Sequence, residues 1–374
     1  MKNVLIAHQS TIPHYRVEFY NLLKRELGES IKIDVVLDEN SERRKLFFKE
    51  DLDFSKISFN LRYCKTFFIS KVKKICFQTF FFHCWKYDLI ILENAVNNFA
   101  YPLSIFYKIL GVKVAFWGHG RDLNNPNNKS LFKSISEWFK LYLIKFSDGF
   151  FAYTDSVKDY LESQKINTKK IFVINNTINL QNAREAYLKF PKDNKLTKKL
   201  VFTGRISKSK RIDFLISSFK HLIKLDPEFE LHIIGEPDND YNFEKLSIPK
   251  SVHFHGAITD NLELAKIYQQ MDLYVYPGYV GLGALHAMCF DLIPVVIDSD
   301  WHKPEIDYLS NKNSIKFKKD TDEENYANHI HDLYMNNEQI ILRRDKIWDS
   351  IKFLTVDTMA KNFKKGIKSI LGVK

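Results

Sequence analysis

The chain has 374 residues, of which 45% are apolar, 27% charged and 14% aromatic, with only 13 glycines and 10 prolines. That apolar fraction excludes intrinsic disorder, and the length favours two ordinary domains over one. The formal net charge is +11, and residues 1–190 hold most of it, with 29 Lys and Arg against 19 Asp and Glu; nucleic acid, anionic lipid headgroups and phosphorylated substrates would all answer such a surface.

No run of 18 uncharged apolar residues exists, so no membrane-spanning helix is expected. The N-terminal apolar stretch is too short for a secretory signal. Cys64, Cys76, Cys84 and Cys289 form neither a CxxC pair nor a disulfide-dense pattern, which gives a reducing cytoplasm as the expected compartment.

From the N-terminus, residues 3–7, 32–37, 88–92 and 113–117 read as buried parallel strands, with helices over 16–27 and 101–110 between them. Residues 67–82 mix bulky apolar side chains with Lys71, Lys73 and Lys74. They read as a helix, either lying in a membrane interface with its lysines on headgroups or packed in the core with a solvated basic edge. Residues 150–153 and 171–174 continue the strands. After the lysine-rich stretch 192–199 the pattern restarts, with strands at 200–203, 230–234, 252–255, 273–276 and 294–297. Residues 362–371 are basic and amphipathic, which membrane contact and tertiary packing explain equally well.

Such alternation predicts an α/β protein with two doubly wound, Rossmann-like domains facing a central cleft. The expected boundaries are 1–185 for the first domain, 186–198 for a linker and 199–345 for the second. Residues 346–374 are expected as a helical segment packing back on the first domain. Ligands of open α/β sheets bind at the carboxyl ends of strands, so polar residues just after strands carry the most weight.

After the strand 200–203 come Gly204 and Arg205, then Lys210. A guanidinium fork and an ammonium together suit a diphosphate, against the alternative of a solvated basic turn. After 273–276 a loop with Gly278 and Gly281 runs into a helix start at Leu282 and Gly283, where free backbone N–H groups suit an anion. No RNP pattern, zinc-finger spacing or basic zipper speaks for nucleic acid, and none is expected as a partner.

The order of five blocks resembles the retaining GT-B glycosyltransferases of family 4 across residues 195–310. The blocks are Gly204-Arg205 with Lys210, then 231–235, 252–258, 272–277, and the Gly281-Leu282 loop with 294–296. The resemblance implies a nucleotide-sugar donor, a UDP-sugar before others, and no further cofactor. Arg205 and Lys210 would hold its diphosphate, the amides of Gly281 and Leu282 would assist, and the loop at Ala257 and Ile258 would border the base. Two glutamates eight positions apart are usual in that family; Gly278 and His286 stand at the matching positions. A neutral His286 can still hydrogen-bond a ribose hydroxyl, or it is a helix-start histidine with a structural partner. Glu305 is the candidate for the missing carboxylate.

In the first half, His14, Tyr15 and Arg16 look like the first acceptor loop of such transferases; Arg16 would meet a phosphate or pair with a nearby acid such as Glu18. His119, between Gly118 and Gly120, matches a histidine that commonly faces the donor sugar, and Arg121 would add positive charge near the leaving phosphate. His119, Arg205 and Lys210 are thus the expected catalytic set. Residues 176–179 resemble the family's closing landmark of the first domain.

The family's reaction retains configuration; Asp298-Ser299-Asp300 is a spaced acidic pair in the wrong domain region and no other DxD-like run sits at a convincing strand end, so metal independence is expected. The implied role is bacterial O-antigen, capsule or lipopolysaccharide synthesis on a lipid-linked or growing glycan acceptor, at an anionic membrane surface on the inner face of the cytoplasmic membrane. A non-catalytic GT-B scaffold and a GT-B sugar-nucleotide epimerase are the rival readings.

Overall fold

The computed structural model describes residues 1–7, 11–45, 52–70, 75–121, 131–190, 195–238, 241, 246–300 and 302–373. They fall into two compact units, Met1–Ile178 with Val356–Lys374, and Asn179–Thr355. The boundaries therefore lie at 178/179 and 355/356: residues 179–185 and 346–355 go with the second unit.

In the first unit the chain runs through β1 (Lys2–Ala7), α1 (Val17–Leu27), β2 (Ile31–Asp38), α2 (Ser41–Lys45), β3 (Asn60–Cys64), β4 (Thr66–Ser70), β5 (Ile75–Gln78), β6 (Leu89–Glu93), α3 (Ala100–Leu103), β7 (Lys113–Gly118), α4 (Leu131–Phe146), β8 (Gly149–Ala152), α5 (Asp155–Ser163) and β9 (Ile171–Val173). Seven strands form a sheet in the order β3-β2-β1-β6-β7-β8-β9, every pairing parallel. Helices cover both faces of such a sheet, which is why its central strands are unbroken apolar runs; Leu89–Leu92 of β6 are wholly buried. The α1 helix turns Val17, Phe19, Tyr20, Leu23 and Leu27 inward at helical spacing.

The described residues among 67–82 do not form the expected helix. Strands β4 and β5 pair antiparallel, Phe67 level with Phe77 and Phe68 with Cys76, and a 3-10 turn over Thr79–Lys86 follows. Aromatic and β-branched residues favour the pleated arrangement, and the period-two exposure of Phe67 and Ile69 follows from it. Lys71, Lys73 and Lys74 lie outside the described residues. The expected helix at 101–110 is split into α3 and a 3-10 segment, Ser104–Leu110.

The second unit contains α6 (Leu180–Leu188), β10 (Lys199–Thr203), α7 (Ile212–Leu225), β11 (Glu230–Ile234), β12 (Val252–Phe254), α8 (Asn261–Tyr268), β13 (Leu273–Tyr276), α9 (Leu282–Met288), β14 (Ile293–Ile297), β15 (Ile315–Phe317), α10 (Glu323–Met335) and α11 (Glu338–Ile351). Its six-stranded sheet has the order β12-β11-β10-β13-β14-β15, again all parallel. Strand order reverses between β10 and β13, so the crevice outside their carboxyl ends is the place for a ligand.

The chain ends with α12 (Val356–Leu371) in the first unit. Its apolar stripe, Met359, Ala360, Phe363 and Ile367, is buried. Phe363 stacks on Phe151 with ring centroids 4.1 Å apart, and Lys364 reaches Glu26 of α1 at 2.9 Å. Packing thus accounts for the amphipathic look of 362–371.

Candidate functional site

The loops after β10 and β13 bracket the crevice of the second sheet. The first is fastened to its neighbours by backbone. Gly204 N–H donates to the Ile234 carbonyl at 2.9 Å, Gly235 N–H to that of Gly256 at 2.7 Å, and Ile206 N–H to that of Glu236 at 2.9 Å. Position 235 has no room for a side chain: a Cβ there would stand 2.0 Å from the Gly204 carbonyl oxygen, and its φ of +148° disfavours one as well. From this frame the Arg205 side chain projects into solvent, 58% exposed, its Nε 3.5 Å from Asp238 Oδ1.

Lys210 ends the 3-10 turn Lys208–Lys210 ahead of α7. Its ammonium donates to the Tyr279 carbonyl at 3.0 Å and lies 5.0 Å from the centre of the Tyr276 ring. Burial, and then the charge of Lys303, bring its pKa down to about 8, with Glu305 pulling the other way and Arg205 adding to the fall. Lys303 and Arg205 therefore act on Lys210 as like charges, opposed by the buried Glu305. A polyanion would relieve that repulsion.

Gly281 caps α9, whose first N–H groups have no partner within the helix. The loop before it is held by a residue the sequence did not single out. His302, buried, accepts the Val280 N–H at Nδ1 (3.1 Å) and donates from Nε2 to the Ile297 carbonyl (2.9 Å), while Lys303 N–H donates to the Val280 carbonyl at 2.9 Å. Burial lowers the His302 pKa, which suits this neutral tautomer. No spacing marks His302, Asp238 or the Tyr279 carbonyl in advance.

His286 Nε2 meets Asn261 Oδ1 at 2.9 Å, and burial lowers its pKa to about 4, so the ring is neutral. Asn261 begins α8, directly after the loop that holds the half-buried Ile258. The His286 ring thus ties that loop to α9 beside Leu282, a structural partner of the kind left open above.

In the first unit, Arg16 stands just ahead of α1. Its guanidinium is buried and donates to Asn176 Oδ1, to the Thr177 carbonyl at 3.0 Å and to Met359 Sδ at 3.3 Å. It fastens residues 176 and 177 and α12 to the start of α1. His14 is exposed and packs edge-on to the half-buried Tyr15. His119 follows β7, half-buried, edge-on to Tyr153 with centroids 4.7 Å apart; Gly118 and Gly120 on either side have φ of +139° and +69°. Arg121 is exposed, over the Tyr160 ring at 5.3 Å.

A metal-competent group does exist among the described residues, although none was expected. Glu230, His232 and His253 offer one ligand atom each, all within 4.8 Å of one another, on β11 and β12. Lys199 lies 3.2 Å from the same Glu230 carboxylate, so a cation already answers that charge.

Residues 197–336 match the family described as glycosyl transferases group 1. This region is a group 1 glycosyltransferase domain. No curated protein matches the chain. Among solved structures, HepE of Anabaena in complex with UDP is similar over 99% of this chain and 100% of its own, at 13% identity and a TM-score of 0.68. TarM of S. aureus, solved with UDP among its ligands, is similar over 98% of this chain and 99% of its own, at 13% identity and a TM-score of 0.64. A putative UDP-N-acetylglucosamine 2-epimerase from Listeria monocytogenes is similar over 98% of this chain and 96% of its own, at 13% identity and a TM-score of 0.60. These likenesses establish the GT-B fold around the glycosyltransferase domain; enzyme class is a matter for the site.

Proposed function

We propose that the protein is a retaining, metal-independent glycosyltransferase. It moves a sugar from a nucleotide sugar, a UDP-sugar before others, to a lipid-linked or growing glycan acceptor in bacterial surface-polysaccharide synthesis. The observation that carries the reading is Lys210, bonded to the Tyr279 carbonyl and acted on by the charges of Lys303 and Arg205, beside the Gly281 helix start at the switch point of the second sheet. HepE and TarM, both solved with UDP, support UDP as the nucleotide.

In the proposed reaction the bond from the anomeric carbon to the diphosphate oxygen breaks as the acceptor hydroxyl adds from the same face. The departing diphosphate takes the hydroxyl proton, so no carboxylate base is needed. The cations stabilise the negative charge growing on the diphosphate. His119 faces the sugar, Arg121 adds positive charge, and His14 and Tyr15 border the acceptor. Gly204, Ile258, Gly281 and Leu282 shape the donor pocket, and His286 and Glu305 position its walls. The protein works on the inner face of the cytoplasmic membrane.

Calorimetry with UDP, GDP, dTDP and their sugars tests this: one nucleotide binds and its sugar is slowly hydrolysed or transferred. Arg205→Ala and His119→Ala abolish turnover if the protein is an enzyme. A protein that binds none of these ligands is a scaffold instead, and one that interconverts the free sugar nucleotide is an epimerase.

A further inference from the structure

The first unit carries an apolar groove with no part in the donor site. A cavity of about 1020 Å³ lies between the β4–β5 hairpin, the stretch from Phe99 to Lys108, and α4; Ile69, Phe77, Phe106, Phe139 and Tyr142 line it. Large side chains around it stand in solvent: Ile69 is 70% exposed, Phe106 62% and Trp138 64%. Trp138 stacks on Tyr142 at 5.5 Å, and Tyr142 packs on Phe146 at 4.4 Å, so the rim of α4 is a continuous row of rings. Single exposed apolar residues are ordinary; a contiguous surface of this size marks a binding face.

The charge of the same stretch says what covers it. Among the residues of 60–148 whose side chains the structure describes, eight lysines and arginines stand against four acidic residues. Lys145 is exposed at the end of α4 and Lys86 lies over the Trp85 ring at 5.2 Å, while Lys108, which lines the groove, is held by Asp148 at 3.2 Å. A second copy of this face would bring like charges together, which disfavours a two-fold dimer. Apolar rings set in basic side chains match the boundary between anionic headgroups and acyl chains, where aromatic residues settle and each lysine gains from the surface potential.

We propose that this groove seats the first unit on an anionic membrane, acyl chains entering between the hairpin and α4 and the flanking lysines on lipid phosphates. The contact differs from a surface helix at 67–82, since the hairpin supplies one wall and α4 the other. It deepens the membrane part of the reading above and rests on it, while the donor site is measured separately.

The test uses the full chain with vesicles of phosphatidylglycerol and phosphatidylethanolamine, and with phosphatidylcholine vesicles, by co-sedimentation. Strong binding to the anionic vesicles, weakened by salt, is expected, with weak binding to the neutral ones. Phe106→Gln with Trp138→Gln should lower the anionic affinity about tenfold or more. Lys86→Glu with Lys145→Glu, which leaves the apolar lining intact, should lower it as well. Brominated acyl chains should quench the wild-type tryptophan emission, and less so in Trp138→Phe. UDP binding by calorimetry should be the same in all variants. Wild-type binding by both double variants, absence of wild-type binding, or a dimer in sedimentation velocity that Phe106→Gln with Trp138→Gln dissolves would each overturn the proposal. Vesicle binding without UDP binding would instead overturn the donor reading alone.

Discussion

Gly278 lies against the backbone of Lys210: a Cβ at position 278 would stand 2.5 Å from the Lys210 Cα and 2.5 Å from the Ser209 carbonyl oxygen. Tyr279 N–H donates to that same oxygen at 3.2 Å, so the two loops are joined backbone to backbone. Position 278, where the family resemblance looks for a glutamate, accordingly has no space for one. Gly278→Ala and Gly278→Glu should both displace the Lys208–Lys210 turn, cost about 1–3 kcal/mol and weaken nucleotide binding. Thermal melts and UDP titrations check this; a glutamate variant more active than the wild type would refute the steric account.

On the proposed donor reading, Lys210 should make nucleotide binding pH-dependent. Its free pKa is about 8, and a diphosphate beside it favours the protonated ammonium. Binding therefore takes up protons around pH 8 to 9, and affinity falls by up to about tenfold per pH unit above the free pKa. Calorimetry in buffers of different ionisation enthalpy reads the uptake directly. Lys210→Arg should bind without that uptake, and Lys210→Met should bind weakly at every pH.

His302→Ala should leave the Val280 N–H and the Ile297 carbonyl unsatisfied, at about 1–3 kcal/mol for each buried group. The Gly281 loop would loosen with it, so nucleotide affinity should drop together with denaturant stability. If stability falls and affinity holds, the loop does not contact the nucleotide.

Acid should destabilise the second unit through its buried histidines. His286 and His302 have folded pKa values below the ordinary 6.5, so the unfolded chain binds protons first as pH falls. Their stabilisation is complete above about pH 6.5 and is lost as pH drops toward about 4 for His286, at most about 1.4 kcal/mol per unit for each group. Denaturant curves between pH 4 and 7.5 test it, and His286→Asn should flatten the slope.

Arg16→Ala should cost about 3 kcal/mol, because Asn176, the Thr177 carbonyl and Met359 all lose a buried donor. UDP affinity should stay unchanged, the site being in the other unit. Weaker UDP binding at equal stability would give Arg16 a role in the site after all.

The two parallel sheets were legible because strands buried on both faces leave unbroken apolar runs such as Leu89–Leu92 and Leu273–Tyr276. Gly204, Arg205, Lys210 and Gly281 were legible because they follow strands whose order reverses there. The hairpin at 66–78 was not, since phenylalanines mixed with lysines satisfy a helical period as readily as a pleated one. The partners of Arg16 were not legible, since they come from residues 176 and 177 and, through the return of α12, from Met359. His302 makes its bonds to main-chain atoms five and twenty-two positions away, which leave no trace in side-chain identity.

The return of α12 also sets an order of events in synthesis. Asn179–Thr355 is one continuous stretch and can close its own core as soon as it has left the ribosome. The first unit, though translated earlier, must wait for Phe363 to fill the socket formed by Phe19, Trp117 and Phe151. Until then those rings stay uncovered in the nascent chain, so the part made first is finished last.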